Sequence, residues 1–479
     1  MEPVFAFELT VPARGEGARA RSLHRQLRAA ILDGRQPPGS ALPATRRAAA
    51  ALGVARNTVV AAYDLLVAEG YVLPRRGARP LVAEIAPRRP PRRGAPAGGV
   101  PVNPLWAQPP FALAPPRQLP VRSFRLGVPE HRGFPHEIWR RLTLGALRAS
   151  ARAGFGYPPS AGLPELREAI AQHVAFTRAV ACVGDDVVVT SGAQQAFDLI
   201  ARLLVVPGRT RVAVEEPGYP PARAAFAAAG AALVPVEVDD EGLRVERLPD
   251  DVGIVSVTPS HQSPTGVALS LPRRRALLEF ARRRGAAVVE DDYDGEFRFG
   301  ARPLDALQTL DRDARVFYVG TFSKSLFPAL RKGFVVAPAW AREALVRIKH
   351  CTDAHCDATT QAALAAFIRD GHLARHVRRM RRVYAARRTA LLDALRGELA
   401  PWLEPIPSEA GLHLAAYVRD PAQAAAIFAA ARRHVPGAQS TEEYAAAPLR
   451  RPALAFGYGA IDAEAIRPAL AALRRALER

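Results

Sequence analysis

The chain has 479 residues, 49% of them hydrophobic, which is long enough for more than one domain and a large core. Its formal net charge of +20 favours a polyanionic partner. Three cysteines, Cys182, Cys351 and Cys356, exclude a disulfide framework, and the pairs His350-Cys351 and His355-Cys356 match no zinc spacing, so no metal is expected. No apolar run is long enough to span a bilayer and the N-terminus has no signal architecture, so a cytoplasmic location without a membrane partner is expected.

Residues 1–84 read as one small domain. Leu23 to Gly34 carries apolar residues at helical spacing and closes on a glycine suited to a C-cap. Leu42 to Val54 is a second short helix with Thr45 or a neighbour as its cap, and Arg56-Asn57-Thr58 opens a third whose inward face is Val59, Ala62, Tyr63, Leu66 and Val67. Short helices joined by a tight glycine-containing turn form a helix-turn-helix. Tyr71 to Leu73 and Leu81 to Ala83 then flank the basic tip Arg75-Arg76-Gly77-Ala78-Arg79, which reads as a wing. From Met1 to Ala95 there are sixteen arginines, no lysine and seven acids, the charge footprint of a surface that meets phosphates.

This segment resembles the GntR-type winged helix, with Arg56, Asn57 and Thr58 at the start of the recognition helix. The resemblance implies a double-stranded DNA operator as partner, contacted by Thr45, Arg46, Arg56, Asn57, Thr58, Tyr63 and the wing residues Arg75, Arg76 and Arg79. The chain departs from that family at Ala44 and Ala55, where serines are usual, and its wing lacks the G-x-G-T sequence.

Residues 85–121 hold Pro87-Arg88-Arg89-Pro90-Pro91-Arg92-Arg93-Gly94, a Gly98-Gly99 pair and a series of prolines, a composition that buries no core and acts as an extended tether. Residues 122–479 are the third region. Short apolar runs at Val187, Arg211, Leu233, Ile254, Ala287, Val316 and Phe334 alternate with helical stretches, which predicts an α/β fold with a mostly parallel seven-stranded sheet. From Gln361 the pattern turns long and helical, and Leu412–Tyr417 and Leu454–Phe456 return as strands of a smaller α+β domain.

Lys324 follows the apolar run Val316 to Val319 and is one of only three lysines in a chain that writes its positive charge as arginine. A primary amine at the carboxyl end of a buried strand can condense with a carbonyl cofactor, and a guanidinium cannot. Pyridoxal phosphate needs such a lysine, an acid on its ring nitrogen, a donor to its ring oxygen, a phosphate cradle and a flat cover. Asp291 and Tyr293, at the end of another apolar run, are the acid and the donor. Gly192, Ala193 and Gln194 open a helix after Val187 to Thr190 and aim free N–H groups at the phosphate, with Thr321, Ser323 and Arg331 beside it; Tyr219 is the cover.

In this order the segments resemble the fold-type I, class I aminotransferases, from about Arg122 to the end. The resemblance implies that Tyr157 reaches the phosphate of a neighbouring subunit in a homodimer. Ser263 stands where that family has an asparagine before Pro264-Thr265-Gly266, leaving His261 and Gln262 to fill the space, and Ala453 stands where a carboxylate-binding arginine is usual.

Together the two halves resemble the MocR subfamily of bacterial transcription regulators. That implies a regulator sensing pyridoxal phosphate or its adduct with a small amine or amino acid. The rival reading is a working aminotransferase with an accessory winged helix. Turnover of ordinary α-amino acids is expected to be weak or absent.

Overall fold

The computed structural model describes residues 4–12, 19–75, 77–84, 103–107, 120, 122–154, 156–300 and 305–479. The chain divides into two compact units, Met1–Val102 and Asn103–Arg479. Most of the expected tether, its paired arginines included, lies outside the described residues.

In the first unit α1 (Arg19–Leu32), α2 (Thr45–Ala51) and α3 (Arg56–Ala68) precede an antiparallel pair, β1 (Val72–Leu73) and β2 (Leu81–Val82). The helical spacing of Leu23, Leu27, Ile31, Val59, Ala62 and Leu66 sends these side chains into one shared core. Gly53 adopts φ +61° between α2 and α3, a conformation that other residues adopt only at a cost. Thr45 does not cap α2: it is the first helical residue, Ala44 occupies the cap position, and neither Ala44 nor Ala55 at the start of α3 gives a side-chain hydrogen bond. Tyr63 is also corrected, because it is only 4% exposed and its hydroxyl donates to the Pro43 carbonyl at 3.0 Å, which makes it part of the core of the first unit.

The second unit carries β3 (Val187–Thr190), β4 (Arg211–Glu216), β5 (Ala232–Asp239), β6 (Gly242–Leu243), β7 (Ile254–Val257), β8 (Ala287–Asp292), β9 (Val316–Thr321) and β10 (Gly333–Val336). They form a sheet of eight strands, not seven, in the order β3-β10-β9-β8-β7-β4-β5-β6. The added strand is short: Gly242, at φ +94°, lets the chain turn back against β5 for two residues. The remaining pairings are parallel except that β10 runs against both β3 and β9.

Around the sheet lie α4 (His136–Ala153), α5 (Pro164–Arg178), α6 (Ala193–Leu204), α7 (Pro220–Ala228), α8 (Leu271–Arg284), α9 (Leu307–Leu310), α10 (Ala339–Asp353) and α11 (Ala358–Arg369). Alternate strand residues feed separate cores. Val212 and Val214 pack with Phe197 and Phe226, while Ala213 packs with Leu277 and Phe280. Covering both faces explains why the strands read as continuous apolar runs.

The long helix α12 (His372–Arg396) leads into β11 (Leu403–Pro405), β12 (His413–Val418), α13 (Ala424–His434), β13 (Gln439–Ser440), β14 (Ala453–Gly457) and α14 (Ala463–Leu477). Here an antiparallel sheet, β11-β12-β14-β13, packs one face on the three helices. No helix of the described residues is long and apolar enough to cross a membrane.

Candidate functional site

Strands β3, β4, β7, β8 and β9 all end on one side of the sheet, where open α/β sheets place their ligands. A cavity of about 330 Å³ opens there, and its lining includes Ala193, Gln194, Tyr219, Asp291, Tyr293, Thr321, Ser323, Lys324 and Arg331. Nine residues chosen from separate stretches of sequence therefore meet at one cavity.

Strand alternation selects the acid. Glu290 and Asp292 point to one face of β8, where Glu290 accepts the Leu307 and Gln308 N–H groups and Asp292 pairs with Arg178 at 2.6 Å. Asp291 points to the other face and into the cavity, buried, with its Oδ1 lacking a hydrogen-bond partner among the described residues. Burial, reinforced by neighbouring Asp292, raises its pKa well above the ordinary carboxylate value against the pull of Lys324. A protonated ring nitrogen is the kind of partner that an orphaned acid in this position fits.

Lys324 donates to the Gly127 carbonyl at 2.9 Å. Burial lowers its pKa, opposed chiefly by Asp294 and Asp291. The effect enlarges the neutral, nucleophilic fraction of the amine.

The phosphate cradle rests on Gly192, at φ +86° in the N-cap position of α6, a helix start with no side-chain cap and no acid in its first turn. A Cβ at Gly192 would lie 2.7 Å from the Arg331 guanidinium, so only glycine lets the arginine lie across the helix end. Arg331 donates to the Ser191 carbonyl at 2.9 Å, and the Thr321 hydroxyl lies 3.0 Å from that of Ser323. These residues fit a phosphate, and the orphaned Asp291 fits a protonated ring.

Three expected residues stand elsewhere. His261 lies behind Tyr293 and off the cavity wall: its Nδ1 is 3.1 Å from Asp294 and 3.1 Å from the Tyr293 hydroxyl, which donates to the His261 carbonyl at 2.9 Å. Gln262 is turned inward as well, bracing the Pro264-Thr265-Gly266 turn through Thr265 and the Pro217 carbonyl, while Ser263 itself faces the cavity. Tyr157 is 90% exposed and takes no part in lining the cavity of its own chain.

Leu126, Gly127, Pro221, Ser263, Pro328, His413 and Tyr444 complete the lining. His413 sits on β12 with its ring centroid 4.3 Å from that of His261, and burial followed by repulsion from His261 pushes its pKa down to about 3. Among the described residues, His261, Asp294 and His413 are the cluster whose donor atoms lie close enough to suit a metal, within 4.8 Å. Their bonds read as a hydrogen-bonded network, because His261 Nδ1 faces Asp294 and His413 Nε2 lies 3.0 Å from the Pro264 carbonyl.

On the first unit, Arg46, Arg56, Asn57, Arg75 and Arg79 are exposed, and Thr45 and Thr58 are half-buried. Arg56 Nε reaches the Thr45 hydroxyl at 3.4 Å and so links the starts of α2 and α3. Arg76 lies outside the described residues. An exposed helix start with no side-chain cap and an arginine on it suits phosphate contact.

The large unit has the aminotransferase class I fold of pyridoxal-phosphate-dependent proteins. The profile "Aminotransferase class I and II" matches residues 126–435, and "Bacterial regulatory proteins, gntR family" matches residues 19–82. The chain is 38% identical over 464 residues, 95% of this chain and 93% of the relative, to a Rhizobium meliloti protein named probable rhizopine catabolism regulatory protein MocR. It is 31% identical over 464 residues, 95% of each chain, to the HTH-type pyridoxine biosynthesis transcriptional regulator PdxR of Corynebacterium glutamicum. Among solved structures it resembles Pyrococcus horikoshii kynurenine aminotransferase, with TM-score 0.68, 28% identity and coverage of 74% of this chain and 90% of that one. It also resembles the α-aminoadipate aminotransferase LysN of Thermus thermophilus, with TM-score 0.67, 29% identity and coverage of 74% and 92%. The chain belongs to the MocR-type transcription regulators, in which a GntR winged helix is joined to an aminotransferase-like unit.

Proposed function

We propose that this protein is a DNA-binding transcription regulator whose aminotransferase-like unit holds pyridoxal phosphate and senses the cofactor or its adduct with a small amine. The orphaned Asp291 carboxylate in the same cavity as the buried amine of Lys324 carries this reading. Bound pyridoxal phosphate supplies an electrophilic carbon to amines and an electron sink to the bonds around it. Asp291 holds a proton toward the ring nitrogen, Tyr293 orients the ring oxygen, Tyr219 covers the ring, and Gly192, Ala193, Gln194, Thr321, Ser323 and Arg331 hold the phosphate.

The operating unit is a homodimer in which Tyr157 of each subunit serves its neighbour's phosphate; its 90% exposure supports a partner-facing role. The winged helix reads operator bases through Arg56, Asn57 and Thr58 and grips phosphates through Arg46, Arg75 and Arg79. A ligand that binds two states of the protein unequally shifts operator occupancy.

The test is a footprint on the DNA adjoining the protein's own gene, with cofactor-loaded and cofactor-free protein. A cofactor-dependent footprint is expected. An unchanged footprint, together with rapid multiple turnover of an amino acid and a keto acid, would favour the aminotransferase reading.

A further inference from the structure

Resting on that reading of the cavity, we propose that the effector is an amine bearing no carboxylate on its nitrogen-bearing carbon. Among the described residues, Lys324 and Arg331 are the cationic side chains that line the cavity, and Arg331 lies at the phosphate cradle.

The other arginines near this end of the sheet are engaged elsewhere. Arg223 is held by Glu216 at 2.7 Å and by the Glu215 carbonyl. Arg450 and Arg451 line a separate cavity of about 270 Å³ together with Glu216, Glu237 and Asp239. There Arg451 pairs with Asp240 at 3.2 Å and lies 3.7 Å over the Tyr417 ring. Ala453 is 1% exposed, packs among Val267, Ile406, Ala415 and Ala455, and lines that separate cavity, not the one around Lys324. Arg125 bears on the Lys324 amine, but it is exposed and lines a different cavity with Val128 and Phe134.

The polar groups left to meet an effector are neutral. His413 is an uncharged ring at neutral pH, with Nε2 occupied by the Pro264 carbonyl. Ser263 and Tyr444 add hydroxyls, and Tyr444 donates its proton to Gln439 at 3.0 Å. The buried ionisable groups that act on Lys324 and Tyr293 include the acids Asp291, Asp294 and Glu215. A carboxylate entering this space loses its water and finds no free cation among the described residues, whereas a hydroxyl or alkyl substituent buries no charge.

Protein loaded with pyridoxal phosphate is titrated with matched pairs, ethanolamine against serine and cadaverine against lysine, following the cofactor's absorption band and the heat of binding. The amine of at least one pair is expected to bind on the order of tenfold to a hundredfold more tightly than its amino acid. Amino acids that bind as well as or better than their amines, or no response to either amine, would overturn the proposal. Failure of the protein to bind the cofactor at all would instead sink the reading on which it rests.

Discussion

His261 and Asp294 form a buried pair, with Nδ1 3.1 Å from a carboxylate oxygen, directly behind the Tyr293 hydroxyl. Asp294 is also the strongest influence holding the Lys324 pKa up against burial. Asp294→Asn keeps an acceptor for the Leu412 N–H but removes the charge. The Lys324 pKa should fall further, and because only the neutral amine attacks, the pH midpoint for capture of pyridoxal phosphate should move down. Stopped-flow absorbance across pH checks this; an upward shift contradicts it.

Borohydride reduction of the loaded protein should fix the cofactor on Lys324, and Lys324→Ala should abolish the link. Lys332 and Lys349 are 5% and 0% exposed and line no part of the cavity, with Lys349 paired to Asp353 at 2.7 Å. Peptide mass mapping decides, and a label on either of these lysines refutes the site.

For the winged helix, replacing Arg75 and Arg79 together should flatten the log–log salt dependence of operator binding by about two units while leaving sequence preference intact. Changing Arg56 or Asn57 should alter preference as well as affinity. A fragment starting at Arg122 that still footprints the operator would contradict both assignments.

Ala55→Ser should stabilise the first unit by about 1 kcal/mol, since α3 starts without a side-chain cap and Ala55 already has the extended backbone that a capping serine adopts. Denaturant unfolding measures it, and no gain in midpoint rejects the assignment of the cap.

Much of the cavity was legible because its residues sit at strand ends. A run of buried residues ending in acids exposes the strand, and alternation explains why Asp291, between Glu290 and Asp292, faces the cavity. Gly127, His413 and Tyr444 were not legible, since topology brings them in from far away: the Lys324 to Gly127 hydrogen bond spans 197 residues. Tyr63 shows the opposite failure. Its helical spacing places it on the inward face, against its place among the expected DNA contacts, and its hydroxyl is taken by the Pro43 carbonyl. His261 was expected at the cofactor, yet its two polar neighbours, Asp294 and Tyr293, hold it one layer back.

Gly127 gives a sharp test of the assembled cavity. It adopts φ +70°, and a Cβ there would stand 2.5 Å from Lys324 Nζ. Gly127→Ala therefore combines a backbone penalty of about 1–3 kcal/mol with a collision at the reactive amine. Gly285→Ala separates the two effects, because Gly285 has φ +69° but no atom within 4 Å of the added carbon. Both variants should lose stability on thermal unfolding. Only Gly127→Ala should also lose cofactor affinity, by tenfold or more for about 1.4 kcal/mol of displaced contact. Equal cofactor affinity in the two variants would mean that the Lys324 amine does not rest against Gly127 in the working protein.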